Sequence, residues 1–307
     1  MAEQVLTTRG LTKRYGGAAA VDHMDLEIGR GEIYGLVGRN GAGKTTLIRM
    51  VTAQTAPSEG TLSLFGAAGE RENAKMRART GAMVETPSFY PYLNARQNLE
   101  YYRIQRGIPG RHAVDEALEA AGLSGTGTKL FKNFSLGMKQ RLGLALALMN
   151  RPDFLLLDEP INGLDPEGIV EFRNLLLELN RDRQTTILIS SHILTELANL
   201  ATCYGFIDHG VLLEQISAQR LEEKCRACLE LRVDDAAKAA RVLEQTLFTR
   251  DYEVLHPGVI RLYSHLDTPQ EVTRALVAEG VGLAAAESRG ADLEEYFLNL
   301  IGGVSHA

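Results

Sequence analysis

Several absences narrow the class of this 307-residue chain before any motif is read. It has only three cysteines, Cys203, Cys225 and Cys228, and an odd, sparse set excludes the disulfide framework of a small secreted domain. Cys225 and Cys228 have C-x-x-C spacing, but a zinc site needs two more ligands and the sequence has no second pair. Two small, partly buried residues at a helix-to-strand edge are expected there, and no metal is assigned to them. No stretch approaches the roughly 18 to 20 consecutive apolar residues of a membrane-spanning helix. The longest apolar runs, Gly143 to Met149 and Phe154 to Leu157, suit buried core elements. The N-terminal MAEQVLTTRG has no basic cluster leading into an apolar segment, so secretion is not expected and the chain should stay in the cytosol. Positive charge is not in excess either: the net charge is −6, with 16 acidic against 10 basic residues from Val211 onward and a neutral front segment. A nucleic-acid binder normally carries a basic face, so DNA and RNA are not expected partners. Internal repeats, low-complexity tracts and heptad runs are missing as well.

What is present is ordinary for a globular chain, 45% hydrophobic and 23% charged, and long enough for one large domain and one small one. The front segment alternates strand-like and helix-like patterns. Short, fully apolar strands are expected at Ile33 to Val37, Phe154 to Leu157 and Thr186 to Ser190. Such strands belong to a parallel sheet covered on both faces, an α/β fold. Helical patterns cover Lys44 to Ala53, Ala95 to Gly107, Ala113 to Ala121, Leu136 to Met149 and Pro166 to Arg181. From about Gln215 the order becomes helix, strand, helix, two strands around His256-Pro257-Gly258, helix, strand and a last helix from Asp292 to Ile301, which suits a small α+β lobe.

Gly38-Arg39-Asn40-Gly41-Ala42-Gly43-Lys44-Thr45 matches G-x-x-x-x-G-K-[ST], and it follows an apolar strand and opens a helix, the context this motif demands. Glycines let the backbone curl its N–H groups inward onto phosphate oxygens, and the helix start adds its positive end. Lys44 can reach the β- and γ-phosphates, and the Thr45 hydroxyl can ligate Mg²⁺. Farther on, Phe154 to Leu157 ends in Asp158-Glu159. The buried strand delivers Asp158 to its rim, where it can hold Mg²⁺ through water, while Glu159 points elsewhere and can polarise an attacking water.

With these two motifs placed, six ordered motifs over roughly residues 4 to 214 resemble the ATPase subunit of ATP-binding-cassette (ABC) transporters. The resemblance implies a P-loop NTPase cassette of mixed sheet core and helical subdomain (residues 1–214, the subdomain at about 86–150), followed by the lobe at 215–307. Lys13-Arg14-Tyr15-Gly16 resembles the aromatic loop that precedes the first strands, so Tyr15 is expected to stack on adenine. Gly38, Asn40, Gly41, Gly43, Lys44, Thr45 and Thr46 would hold the nucleotide. Phe134-Ser135-Leu136-Gly137-Met138-Lys139-Gln140-Arg141 resembles the signature sequence, usually L-S-G-G-Q, whose helix end faces the γ-phosphate bound by a partner subunit. Leu136 replaces a glycine there, so the contacts are assigned to Ser135 and Gly137. Ile161 to Pro166 resembles the D-loop that crosses the dimer interface, with Asp165 as its polar residue. Ser190-Ser191-His192 resembles the switch-histidine segment, in which His192 would bond the γ-phosphate.

Glu85 departs further. The family has glutamine after the strand Gly81 to Val84, as an Mg²⁺ ligand whose loop contacts the membrane subunit. A carboxylate is still a hard oxygen ligand, though it adds negative charge beside the triphosphate. Glu85-Thr86-Pro87-Ser88-Phe89-Tyr90, together with S-L-G-M-K-Q-R-L, looks like the bacitracin-export and lantibiotic-immunity branch. The resemblance therefore implies ATP and Mg²⁺ as cofactors, Glu159, His192 and Lys44 as catalytic groups, and Thr45, Glu85 and Asp158 as metal ligands. It also implies a homodimer closed through the ATP sites and a separate permease at the cytoplasmic face of the membrane. Two other classes stay open: a soluble ABC ATPase of translation or repair, and a nucleotide-gated module that does not hydrolyse. The lobe is expected to serve dimer contact or regulation.

Overall fold

The computed structural model describes residues 3–84, 88–256, 258–290 and 293–304. Glu85, assigned above to the metal, lies outside them. The chain divides into two compact units, Met1–Ala218 and Gln219–Ala307, and the expected edge at 214 falls inside a strand.

The first unit opens with two long strands, β1 (Gln4–Tyr15) and β2 (Ala18–Gly29), then β3 (Ile33–Val37), α1 (Lys44–Val51), β4 (Glu59–Leu64), α2 (Glu70–Met76) and β5 (Thr80–Met83). Three helices follow, α3 (Ala95–Gln105), α4 (His112–Ala120) and α5 (Leu136–Leu148). The unit continues with β6 (Phe154–Asp158), α6 (Pro166–Arg183), β7 (Thr186–Ser191), the one-turn α7 (Leu194–Leu197), β8 (Cys203–Asp208) and β9 (Val211–Ser217). β3, β6 and β7 are buried along their whole length and pair in parallel. They form the middle of a six-stranded sheet ordered β5-β6-β7-β3-β8-β9, in which only β9 runs antiparallel to its neighbour.

A three-stranded antiparallel sheet, β2-β1-β4, was not expected from the residue pattern. The β1–β2 register shifts at several points, including between Thr8 and Leu11, and each bulge breaks the two-residue alternation by which a strand is recognised. The same finding corrects the placing of Lys13 to Tyr15: these residues are not a loop before the first strands but the end of β1, entering the hairpin turn to β2. Leu6, Leu26, Ile28 and Leu64 of this sheet share one core with Leu47 and Ile48 of α1 and Tyr34 and Leu36 of β3. A second core, including Leu99, Val114, Leu118, Leu142 and Leu146, ties α3, α4 and α5 into a helical subdomain. Asn94 and Gln97 form a reciprocal capping box at the start of α3, which fixes where that helix begins.

The second unit contains α8 (Ala218–Cys225), β10 (Cys228–Val233), α9 (Ala236–Gln245), β11 (Tyr252–His256), β12 (Val259–Leu262), α10 (Pro269–Ala278), β13 (Leu283–Arg289) and α11 (Leu293–Val304). Its four strands are antiparallel in the order β11-β12-β10-β13, a split β-α-β arrangement. α9 and α10 cover one face through Val242, Leu243, Val272 and Leu276 against Leu229, Leu231, Ile260 and Leu262.

Candidate functional site

The loop from Gly38 to Thr45 connects the C-terminal end of β3 to α1. Gly43 caps α1 with φ 109°, and a β-carbon there would stand 2.4 Å from the Ala20 carbonyl oxygen of β2, so only glycine fits. No side chain caps this helix, which leaves its first N–H groups directed at the mouth of the loop. β2 thus crosses the loop at Ala20, two residues beyond Ala18, the strand partner of Tyr15. The Tyr15 ring is half exposed beside the Lys13 ammonium, 5.2 Å from its centroid.

Lys44 is almost fully buried at 4% exposure, so its charge must be matched. Its Nζ donates to the carbonyls of Gly38 (2.6 Å) and Arg39 (3.1 Å) and pairs with Glu159 Oε1 at 3.1 Å. The second Glu159 oxygen, Oε2, lies 2.8 Å from His192 Nδ1 and 3.5 Å from Asn162 Nδ2. Glu159 itself has φ 45°, a left-handed conformation that costs a non-glycine residue about 1–2 kcal/mol. Its carboxylate is held between the two other expected catalytic side chains, Lys44 and His192.

Beside this ion pair, Thr45 Oγ1 donates to Asp158 Oδ2 at 2.7 Å, and Ser190 Oγ donates to Asp158 Oδ1 at 2.7 Å. The Glu159 backbone N–H donates to the same Ser190 oxygen at 2.9 Å. A hydroxyl and a carboxylate at this spacing, with Asp158 only 9% exposed, form a compact pair of hard oxygen donors that suits Mg²⁺. In the sequence Ser190 stands only as a strand end next to the histidine segment, with no role of its own. Its place opposite Asp158 in the β6–β7 register makes it the residue that orients both acids, and that pairing was the signal available.

Ser135, Gly137 and Asp165 gather in a different cleft of about 640 Å³, lined also by Leu136, Met138, Gly163 and Leu164. Ser135 caps α5 by accepting from the Met138 N–H at 3.3 Å, and Asp165 caps α6 by accepting from the Gly168 N–H at 3.1 Å. None of the cysteines is in a disulfide, and burial pushes the Cys203 thiol up to about 11, with the Glu32 carboxylate adding to the shift. Among the described residues no cluster of three or more His, Cys, Asp or Glu could hold a metal ion.

Comparisons with known proteins show the family. Residues 21–162 match the family described as ABC transporter. The bacitracin transport ATP-binding protein BcrA of Bacillus licheniformis is 44% identical over 299 residues, covering 97% of this chain and 98% of that protein. The lantibiotic transport ATP-binding protein SrtF of Streptococcus pyogenes is 36% identical over 222 residues, 71% of this chain and 95% of its own length. Among solved structures, cbiO1 from Clostridium perfringens, part of the ABC transporter complex cbiONQ, superposes with a TM-score of 0.65 at 26% identity over 72% of this chain and 92% of that one. With the Gly38–Thr45 loop, Asp158, Glu159 and His192 set around one mouth, the chain belongs to the ATP-binding, ATP-hydrolysing subunits of the ABC transporters.

Proposed function

We propose that the chain is the motor of an exporter for a peptide antibiotic of the bacitracin or lantibiotic kind. The observation that carries the motor reading is the Glu159 carboxylate clamped between Lys44 and His192, next to the Thr45–Asp158 pair. The cargo reading draws on the likeness to BcrA, which runs through the second unit as well as the cassette.

The clamp is a resting arrangement. An arriving triphosphate offers Lys44 a better partner than one carboxylate, and the Gly38–Thr45 backbone, including Asn40, Gly41 and Gly43, supplies N–H groups to its oxygens. Thr46, in the first turn of α1, would complete this set, and Tyr15 would stack on the adenine. Released from Lys44, Glu159 is free to accept a proton from the attacking water, while His192 shares its other oxygen and bonds the γ-phosphate. Thr45 and Asp158, with Glu85 as a third oxygen donor, would hold the Mg²⁺ that neutralises phosphate charge.

Within one protomer Ser135, Gly137 and Asp165 line a cleft of their own. A second copy would therefore bring its Ser135 helix end and Asp165 to the bound nucleotide, giving an isologous dimer with two shared sites. Closing and reopening that dimer would move a separate permease. No helix among the described residues is long and apolar enough to cross a membrane, and Tyr90, Tyr92, Tyr101 and Ile104 are exposed just downstream of Glu85. This surface suits docking on the cytoplasmic side of a membrane partner, in line with cbiO1 being part of a transporter complex. Nucleic acid has no part in the cycle, and the second unit is read as a dimer contact or regulatory lobe.

The test is a resistance assay. Co-expressed with its membrane partner in a bacitracin-sensitive host, the wild-type chain should raise the inhibitory concentration, and Glu159→Gln at equal abundance should not. Protection by Glu159→Gln would remove Glu159 as the base. Failure of the wild type against both bacitracin and a lantibiotic, despite active ATP hydrolysis, would remove the cargo assignment.

A further inference from the structure

The residue at which this chain departs from the signature pattern, Leu136, makes a contact that the usual glycine cannot make. Leu136 is the first residue of α5, directly after its cap Ser135. Leu136 is 44% exposed and lies against the D-loop of the same protomer: a β-carbon built on Gly163 would stand 3.1 Å from Leu136 Cδ2. Gly163 has φ 77°, so it is glycine both for its backbone and for the room it leaves to this leucine. The contact is reciprocal, since a β-carbon on Gly137 would lie 3.7 Å from Leu164 Cδ2. One leucine of each turn thus lies over a glycine of the other, and an Arg141–Glu171 ion pair joins α5 to α6 close by.

The D-loop leads from this contact straight back to the acid pair. Asn162, next to Gly163, donates its backbone N–H to the Glu159 carbonyl at 3.3 Å and its side-chain amide to Glu159 Oε2 at 3.5 Å. We infer that Leu136 is a positioning residue, clasping the signature turn onto the D-loop and, through Gly163 and Asn162, setting the carboxylate of Glu159 in its own protomer. Its effect falls mainly on turnover: the clasp meets the Lys44 loop at the Lys44–Glu159 ion pair, and the lysine keeps its bonds to the Gly38 and Arg39 carbonyls. The inference rests on the roles of Glu159 and the Ser135 helix given above.

The experiment compares Leu136→Gly, Leu136→Met and Glu159→Gln in the full-length protein. Methionine can still lie over Gly163, whereas glycine cannot. Leu136→Gly should lower kcat about tenfold, leave KM for ATP within about twofold of wild type, and leave ATP binding to the isolated protomer unchanged. Leu136→Met should restore most of the turnover. Gly163→Ala, which presses a methyl onto Leu136 Cδ2, should show the same loss of kcat at steady KM. Full turnover by Leu136→Gly, or a Leu136→Met variant as slow as Leu136→Gly, overturns the clasp. Glu159→Gln separates the two ideas: if it is inactive while Leu136→Gly is unimpaired, only the clasp fails. If Glu159→Gln turns over normally, the roles on which the clasp rests fail as well.

Discussion

Removing the Ser190 hydroxyl should damage both stability and turnover. Ser190 is fully buried, and its oxygen holds two groups, donating to Asp158 Oδ1 at 2.7 Å and accepting from the Glu159 N–H at 2.9 Å. Ser190→Ala strips a hydrogen bond from a carboxylate, worth about 1.5–3 kcal/mol, and strands a backbone N–H, which costs about 1–3 kcal/mol. Water entering beside Thr45 offsets part of this, so a net loss of about 3 kcal/mol is expected. In a cooperative unit of this size that lowers Tm by roughly 6–12 °C. Among the described residues Asp158 then keeps its bond from Thr45, and kcat should fall by at least about tenfold as the oxygen pair loses its alignment. Calorimetry of the nucleotide-free protein and a phosphate-release assay read the two effects. A variant that melts within about 1 °C of wild type and turns over normally would refute the idea that Ser190 organises both acids.

Two further predictions concern other parts of the first unit. Burial holds the Cys203 thiol at about 11 against an ordinary value of 9.0, so above pH 9 the unfolded chain loses this proton first and stability falls as pH rises toward 11. Cys203→Ala should flatten part of that alkaline decline in a pH series of thermal melts, and an unchanged slope would contradict it. Tyr15→Ala should weaken ATP binding by about 1–3 kcal/mol in a titration while leaving GTP or ATP hydrolysis at saturation nearly intact; equal ATP affinity in the variant would remove Tyr15 from the base-binding face.

How far the sequence could be read depended on the range of the interactions involved. The loop at Gly38 to Thr45 is local chemistry, glycines at positive φ and a lysine at a helix start, and its motif was visible as written. The apolar strands β3, β6 and β7 were equally plain, because strands buried on both faces carry an unbroken hydrophobic run. Asp158 and Glu159 were visible as a strand end, but the clamp was not: Lys44, Glu159 and His192 come from three separate stretches, and only parallel pairing of β3, β7 and β6 draws them together. The antiparallel sheet of β1, β2 and β4 is hard to read from the sequence because its bulges scramble the alternation. The Leu136 departure was legible as a substitution, but its contact with Gly163 depends on how two turns pack in space.

In the proposed cycle two copies of this chain close over ATP, each completing the other's site, and hydrolysis at Glu159 reopens them. Size-exclusion chromatography coupled to light scattering, run on Glu159→Gln with ATP and Mg²⁺, tests it most directly. A shift from monomer to dimer that needs ATP, does not occur with ADP, and is lost when Ser135 is changed to arginine in the same chain is the predicted result. A Glu159→Gln protein that stays monomeric with ATP bound, or that hydrolyses ATP at the wild-type rate, would contradict it.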